Sequence, residues 1–393
     1  MLKRTFLALL VPLIPFLLPL RATAQPLRLF VSSDLHYKPV VAPAQTLLIE
    51  QMRYSVEIIT ALFEAAQAQR PDALVLLGGL TNDGRMEEHR ALAALLEDVE
   101  RSGVPVYVLP GNHDLWQADA AFFRETYASL GYDRAFSQDA ASLSYAAALS
   151  PDLWLILLDT VPGGSTEGEI LPETVHWLAG VLDLAAQRGA TAITCSHHNV
   201  LAHSSPAYSA NYEIQGGDAL RETLLDYRVP LHLSGHRHGW HYVTAPFTEL
   251  IVGMPVAYPT QYAELTVEPG AQITFAARPL DMAAWGASHA RPDLADFDVF
   301  SLAARVRMGE EMADGLLAHV NATDAQKDVM RGFFRDVYVD YARGTIFERR
   351  DAYLQSEGYR LWKELAQGLR QQEWLLYLVT DMTQDYRAFT LPL

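Results

Sequence analysis

The sequence predicts an α/β fold of two sheets flanked by helices, followed by an all-helical C-terminal extension. Three observations predict it. Short apolar runs alternate with amphipathic stretches from residue 27 to about 275, five of those runs end in polar or metal-ligand residue types, and strand-like runs cease after about residue 280. Runs at 27–31, 73–77, 104–109, 153–158, 190–195 and 230–233 read as buried strands, because they are short, continuous and apolar. Helices are predicted between them, over about 46–69, 86–101, 118–129, 173–187 and 218–227. Such alternation builds βαβ units with helices covering the sheet faces. Runs at 249–253, 263–267 and 271–276 lie close together and alternate polar with apolar, as antiparallel strands of a second sheet would.

Residues 290–385 carry helical spacing instead. Leu302 and Val306 are four apart, Met308, Met312 and Leu316 repeat that spacing, and Phe333, Phe334, Val337 and Val339 mark a second apolar stretch. Leu354, Leu361, Trp362 and Leu365 mark a third, so four to five helices are expected. The extension has no ligand cluster, which leaves two roles open: a packing or oligomerisation element, or a lid that shapes access.

The chain has 393 residues, 50% hydrophobic and 20% charged, an ordinary globular composition with room for one large domain or two modest ones. Its net charge of −17 argues against non-specific binding to nucleic acid or anionic membranes. A phosphate-bearing substrate would need a local positive centre. At the N-terminus, Lys3 and Arg4 precede an apolar stretch broken by Pro12, Pro15 and Pro19, and Ala22-Thr23-Ala24 fits a cleavage site. This predicts a signal peptide over 1–24, a secreted or periplasmic protein, a domain over 25–280 and an extension over 281–393. No later segment reaches membrane-spanning length. The single cysteine, Cys195, cannot form an internal disulfide and reads as a small buried hydrophobe.

Five polar blocks follow strand-like runs. They are Asp34-Leu35-His36, Gly78-Gly79-Leu80-Thr81-Asn82-Asp83-Gly84, Gly111-Asn112-His113-Asp114, Ser196-His197-His198-Asn199 and Gly235-His236-Arg237-His238. In open α/β sheets, ligands bind at this rim. Asp34 and His36 are two apart at a strand end, as are His236 and His238, so strand alternation would point each pair the same way. With Asn112 and His197 they form an N/O donor set suited to Zn, Mn or Fe. Six of the 13 histidines fall in these blocks, more than random scatter would give.

These blocks resemble the calcineurin-like metallophosphoesterase family, whose pattern runs D-x-H, G-D, G-N-H-D/E, H-H and G-H-x-H. The resemblance covers roughly residues 27–275 in the right order. It implies a two-sheet sandwich flanked by helices and a phosphate-ester hydrolase using two divalent metal ions. One ion would be held by Asp34, His36 and His238, the other by Asn112, His197 and His236. His113 would contact the phosphate or protonate the leaving group, Asp114 would orient His113, and His198 would support the site. Asn82 stands where the purple acid phosphatase branch carries Tyr, so an iron–tyrosinate centre is not expected.

The sequence departs from the family at Gly79, where the pattern has an Asp that bridges the two metals. Asp34 is then the one carboxylate among the expected ligands. Three readings of Gly79 stay open, a naturally degenerate site, an engineered inactivating change or a site that works with one metal, and the loss implies a weakly bound second ion and reduced turnover. Asp83, the nearest carboxylate in sequence, reads as an N-cap of the next helix. Two functions compete: a metal-dependent hydrolase of phosphate esters, monoester or diester, impaired by Gly79, and a non-catalytic binding protein that keeps the fold. A serine hydrolase built on Ser196 lacks a G-x-S-x-G elbow. Loops at 160–170 and 203–217 and the extension are expected to shape the pocket. Tyr208, Tyr212, Trp240 and Tyr242 either stack on a substrate ring or pack.

Overall fold

The computed structural model describes residues 25–39, 51–164 and 167–393. The predicted signal peptide, the first residues of the helix expected from about 46, and residues 165–166 of the 160–170 loop lie outside them. Two sheets form the centre. In the first, β1 (Leu27–Ser32), β2 (Ala73–Leu77) and β3 (Val106–Leu109) run parallel. β11 (Gln261–Glu268) joins β1 antiparallel, followed outward by β12 (Gln272–Pro279) and β13 (Ala388–Pro392). The second contains β4 (Ala135–Gln138), β5 (Tyr145–Ser150), β6 (Leu153–Leu157), β7 (Thr191–Cys195), β8 (Leu231–Ser234), β10 (Thr248–Ile251) and β9 (His241–Val243), in that spatial order.

Burial explains the layering. Leu155 and Leu157 of β6 join the core shared by the two sheets, with Ile193, Leu231 and Leu265. Trp154 and Ile156 face the other way, packing with Leu178 and Val181 of α4 (Pro172–Arg188) and Leu220 and Leu224 of α6 (Asp218–Asp226). A strand apolar on both faces must be covered on both. Helices α1 (Ser55–Gln69) and α2 (Met86–Arg101) bury Ile58, Leu62, Leu92 and Leu96 in the core shared with β1–β3. α3 (Ala120–Thr126) and the short α5 (Pro206–Ser209) lie in connecting segments.

Three sequence expectations change here. The run at 249–253 does not join the late antiparallel strands; β10 pairs parallel with β8, while β11 and β12 extend the first sheet. Strands β4, β5 and β9 were not expected, since their short, mixed sequences carry little periodic signal. The extension also ends in a strand: β13 returns to pair with β12.

Between β12 and β13 lie α7 (Met282–Ser288) and the five further helices α8 (Phe297–Leu317), α9 (Asp324–Arg343), α10 (Ile346–Gln355), α11 (Glu357–Leu365) and α12 (Arg370–Asp381). Helix α9 starts at a capping box, in which Thr323 accepts from the Gln326 backbone and Gln326 returns to Thr323. The fully buried Trp362 donates its Nε1–H to the Met330 carbonyl at 2.8 Å, locking α11 to α9. The bundle docks on the sheets through Trp374 stacked on Tyr208 and Tyr242 Oη donating to the Asp385 carbonyl at 3.1 Å.

Candidate metal centre

The polar blocks leave their strands through unusual backbone. Asp34, His36, His236 and His238 all have positive φ, at 53°, 42°, 66° and 55°. Side chains other than glycine avoid this region, and each such residue costs on the order of 1 kcal/mol or more. Surrounding hydrogen bonds hold the strain: Asp34 N–H donates to Gly78 O at 2.9 Å, His36 N–H to Gly79 O at 2.8 Å and His236 N–H to Asp34 Oδ2 at 2.8 Å. The pairs two apart therefore do not converge by strand alternation, as the spacing alone suggested. They converge because each member is turned left-handed past its strand end.

Three imidazoles meet around the Asp34 carboxylate. Its Oδ1 lies 3.4 Å from His238 Nε2, 3.7 Å from His36 Nε2 and 3.9 Å from His197 Nε2. His36 Nε2 and His238 Nε2 are 3.3 Å apart, and His197 Nε2 is 3.0 Å from Asn112 Oδ1. The ligand atoms of Asp34, His36 and His238 all fall within 4.8 Å of one another, so these three could hold one metal ion. His236 stands beside them, its ring 5.0 Å from that of His197 and 4.4 Å from that of His198.

The donor chemistry fits a cation. His197 Nδ1–H donates to Leu77 O at 2.8 Å, so Nε2, 3.0 Å from Asn112 Oδ1, is the nitrogen that faces the centre. Burial drives the His36 and His236 imidazoles towards the neutral form that binds metal. Burial would raise the Asp34 carboxyl, but His238 and His197 beside it hold it well below the usual carboxylate range. The expected ligands Asp34, His36, Asn112, His197, His236 and His238 thus share one polar centre.

The expected catalytic pair is arranged differently. His113 lies at the rim, its ring 4.4 Å from that of His36 and 3.9 Å from Trp116. Its Nδ1–H donates to Asn82 O at 2.6 Å, and burial pushes its imidazole down to about 4. Asp114 does not orient it. The Asp114 carboxylate accepts from Leu80 N (3.1 Å), Thr81 N (2.8 Å), Thr81 Oγ1 (2.9 Å) and Gly111 N (2.8 Å), so it fixes the loop carrying Gly79. Asp83 does not cap the next helix either; it pairs with Lys38 at 2.9 Å, and Arg85 occupies the N-cap. His198 makes a 3.0 Å contact through Nδ1 with Thr160 Oγ1.

Gly79 has φ +62°, and a Cβ there would sit 2.7 Å from Asp34 Oδ1 and 2.9 Å from Asp34 Cα. A side chain at this position would enter the ligand cluster directly.

The sequence pattern of the calcineurin-like phosphoesterases matches residues 27–240. The chain belongs to that family. A second pattern, the C-terminal domain of cyclic nucleotide phosphodiesterase, matches residues 280–385. A probable cyclic nucleotide phosphodiesterase of Rhodococcus erythropolis is 30% identical over 210 residues, 53% of this chain and 64% of its own length. A cAMP/cGMP dual specificity phosphodiesterase of Mycobacterium tuberculosis is 32% identical over 205 residues, 51% of this chain and 58% of its own. The chain therefore spans less than two thirds of either relative. The solved structure of a dimetal phosphatase from Danio rerio shares the fold, with a TM-score of 0.52 at 15% identity over 64% of this chain and 96% of that one.

Two features of the site were missed in the sequence. Glu249 is fully buried and accepts from Val200 N (3.0 Å), Leu201 N (2.7 Å) and Ser234 Oγ (2.7 Å), tying the loop after His197 to the strand that leads to His236. It sits in a strand far from any motif. The second is a cavity of about 230 Å³ beside the metal centre. His236, Arg237 and His238 form one side, and Arg305, Tyr338 and Trp374 of the extension form another. Tyr208 and Tyr212 face this cavity, whereas Trp240 and Tyr242 are buried and pack, Trp240 stacking on Phe275.

Proposed function

We propose that the protein hydrolyses a phosphodiester, that of a cyclic nucleotide or a close analogue, at the centre formed by Asp34, His36, Asn112, His197, His236 and His238. The observation that carries this reading is the meeting of the Asp34 carboxylate with three imidazole nitrogens and of His197 with Asn112 at one rim, all buried but the half-buried His238. The names of the relatives and the match of the extension support the diester over the monoester.

Two divalent ions, Zn, Mn or Fe, would supply Lewis acidity and an activated water when bound. Asp34, His36 and His238 would hold the first, and Asn112, His197 and His236 the second. The protein's own groups do the rest. His113 stands at the rim with Nδ1 committed to Asn82 O, so Nε2 is the atom placed to exchange a proton with the substrate. Asp114 holds the Gly79 loop and the start of the Asn112 turn in register through four hydrogen bonds. Gly79 leaves the centre without a second carboxylate, so the second ion binds weakly and turnover is low. The N-terminal basic and apolar sequence supports export from the cytoplasm.

Metal analysis with parallel hydrolysis of 3′,5′-cAMP, bis-p-nitrophenyl phosphate and p-nitrophenyl phosphate tests the reading. Slow, chelator-sensitive hydrolysis favouring the diesters is expected. Diester binding without hydrolysis at saturating Mn would favour the alternative that Gly79 suggests, a binding protein on the same fold.

A further inference from the structure

We propose that the helical extension supplies a phosphate-binding arginine, Arg305, to the cavity beside His236 and His238, so that the extension helps select the ligand. The inference rests on reading that cavity as a phosphate-ester site. Arg305 lies on α8 and is 6% exposed, and its Nε has no hydrogen-bond partner. Among the described residues it has no carboxylate partner. Its guanidinium carbon sits 3.7 Å from the centre of the Tyr338 ring, which positions the group without neutralising it.

Several other arginines of the extension meet carboxylates, whereas Arg343 and Arg370 bond to Tyr258 Oη and Tyr208 O. Arg331 pairs with Asp314 and Asp328, Arg335 with Glu310 and Asp336, and Arg349 with Asp336 and Asp340. In a chain of net charge −17, carboxylates are plentiful. A buried guanidinium left without one is costly, unless an anion arrives with the ligand. The cavity meets that need: its lining contains Arg305 and Arg237 and neither Asp nor Glu.

The wall beside Arg305 suits the rest of the ligand. Met308 and Met312 follow it at three and seven residues on the same helix face and line the cavity, with Tyr341 and Trp374 nearby. Methionine and aromatic side chains adapt to a flat ring. The chemical class is therefore a phosphate ester carrying a planar ring, its anionic oxygens on the Arg305 fork.

Calorimetric titration of inorganic phosphate, AMP and adenosine into wild type and Arg305→Gln, each metal-loaded and chelator-stripped, tests this. Phosphate and AMP should bind about tenfold more weakly to the variant, in both metal states. Adenosine affinity should not change, and Arg305→Lys should recover part of the loss. Phosphate at equal concentration should raise the Tm of the wild type more than that of Arg305→Gln, whose own Tm should be no lower than the wild type's. Equal AMP affinity in wild type and variant overturns the proposal, even if hydrolysis proves metal-dependent. An Arg305 effect that survives in a protein without metal-dependent hydrolysis supports it while the catalytic reading fails. Failure of both Arg305→Gln and Arg305→Met to fold would show Arg305 to be structural and also overturn it.

Discussion

Replacing Gly79 with Asp should raise diester hydrolysis about a hundredfold and bring metal content from about one ion per chain to two. The direction comes from the backbone: a Cβ at 79 points into the ligand cluster, 2.7 Å from Asp34 Oδ1. The magnitude is a balance. One well-placed group stabilising a transition state is worth about 4 kcal/mol. Against it stand a non-glycine residue at φ +62°, which Asp tolerates better than most, and a Cβ 2.9 Å from Asp34 Cα, where the backbone must give; together they cost about 1.5 kcal/mol. The net of about 2.5 kcal/mol is roughly a hundredfold in rate. Without metal the same variant should be less stable than wild type, because the new carboxylate crowds Asp34 in a buried site, and saturating Mn should reverse that loss. Gly79→Asn carries the same bulk and strain without the charge and should show no gain. The assay is metal content by mass spectrometry together with Mn-dependent hydrolysis of bis-p-nitrophenyl phosphate. A wild type that already binds two ions tightly, matched in rate by the Asp variant, would refute the reasoning, because some other group must then bridge.

Asp114→Ala should cost about 3–5 kcal/mol in urea unfolding, since it strips the partners from three buried backbone N–H groups at once; a loss below about 1 kcal/mol would mean that water replaces the carboxylate. Stability should also fall with acid through His232. Burial pushes its imidazole from the ordinary 6.5 down to about 4, so the folded protein keeps it neutral. As pH falls below 6.5 the unfolded chain takes up a proton that the native state refuses. The stability present above 6.5 is therefore lost progressively down to about 4, by up to about 3 kcal/mol. Urea midpoints of wild type and His232→Gln should diverge over that window, and parallel curves would remove His232 as the cause.

Much of the rim was legible in the sequence because each ligand block follows a short apolar strand, and strand ends of a parallel sheet gather on one side. Asp34, His36, Asn112, His197, His236 and His238 carry their own local signal. Asp114 illustrates the limit. Its position after His113 suggested a partner for that ring, yet the loop geometry turns its carboxylate towards Thr81 and Gly111. Strand β10 was assigned to the wrong sheet because pairing depends on which neighbour a strand meets in space, and the run at 249–253 is equally apolar for either. The cavity wall was hidden for a related reason. Arg305 and Trp374 lie far in sequence from the histidines they face, and nothing in helical spacing says which face of α8 or α12 docks on which loop.

The pairing of β13 with β12 has a consequence in time. Thr274 meets Thr390 across a separation of more than a hundred residues, with all of α7 to α12 made in between. A ribosome delivers the metal-ligand loops first and the outermost strand, which covers β12, afterwards. Until then β12 presents an open edge, the feature that templates association between chains. Long-range pairings of this kind also form slowly. Synthesis interrupted within the extension would leave a chain with its histidines in place, one side of its cavity open and an edge strand bare, so the vulnerable interval in this protein's life lies between translation of Pro279 and docking of Ala388–Pro392.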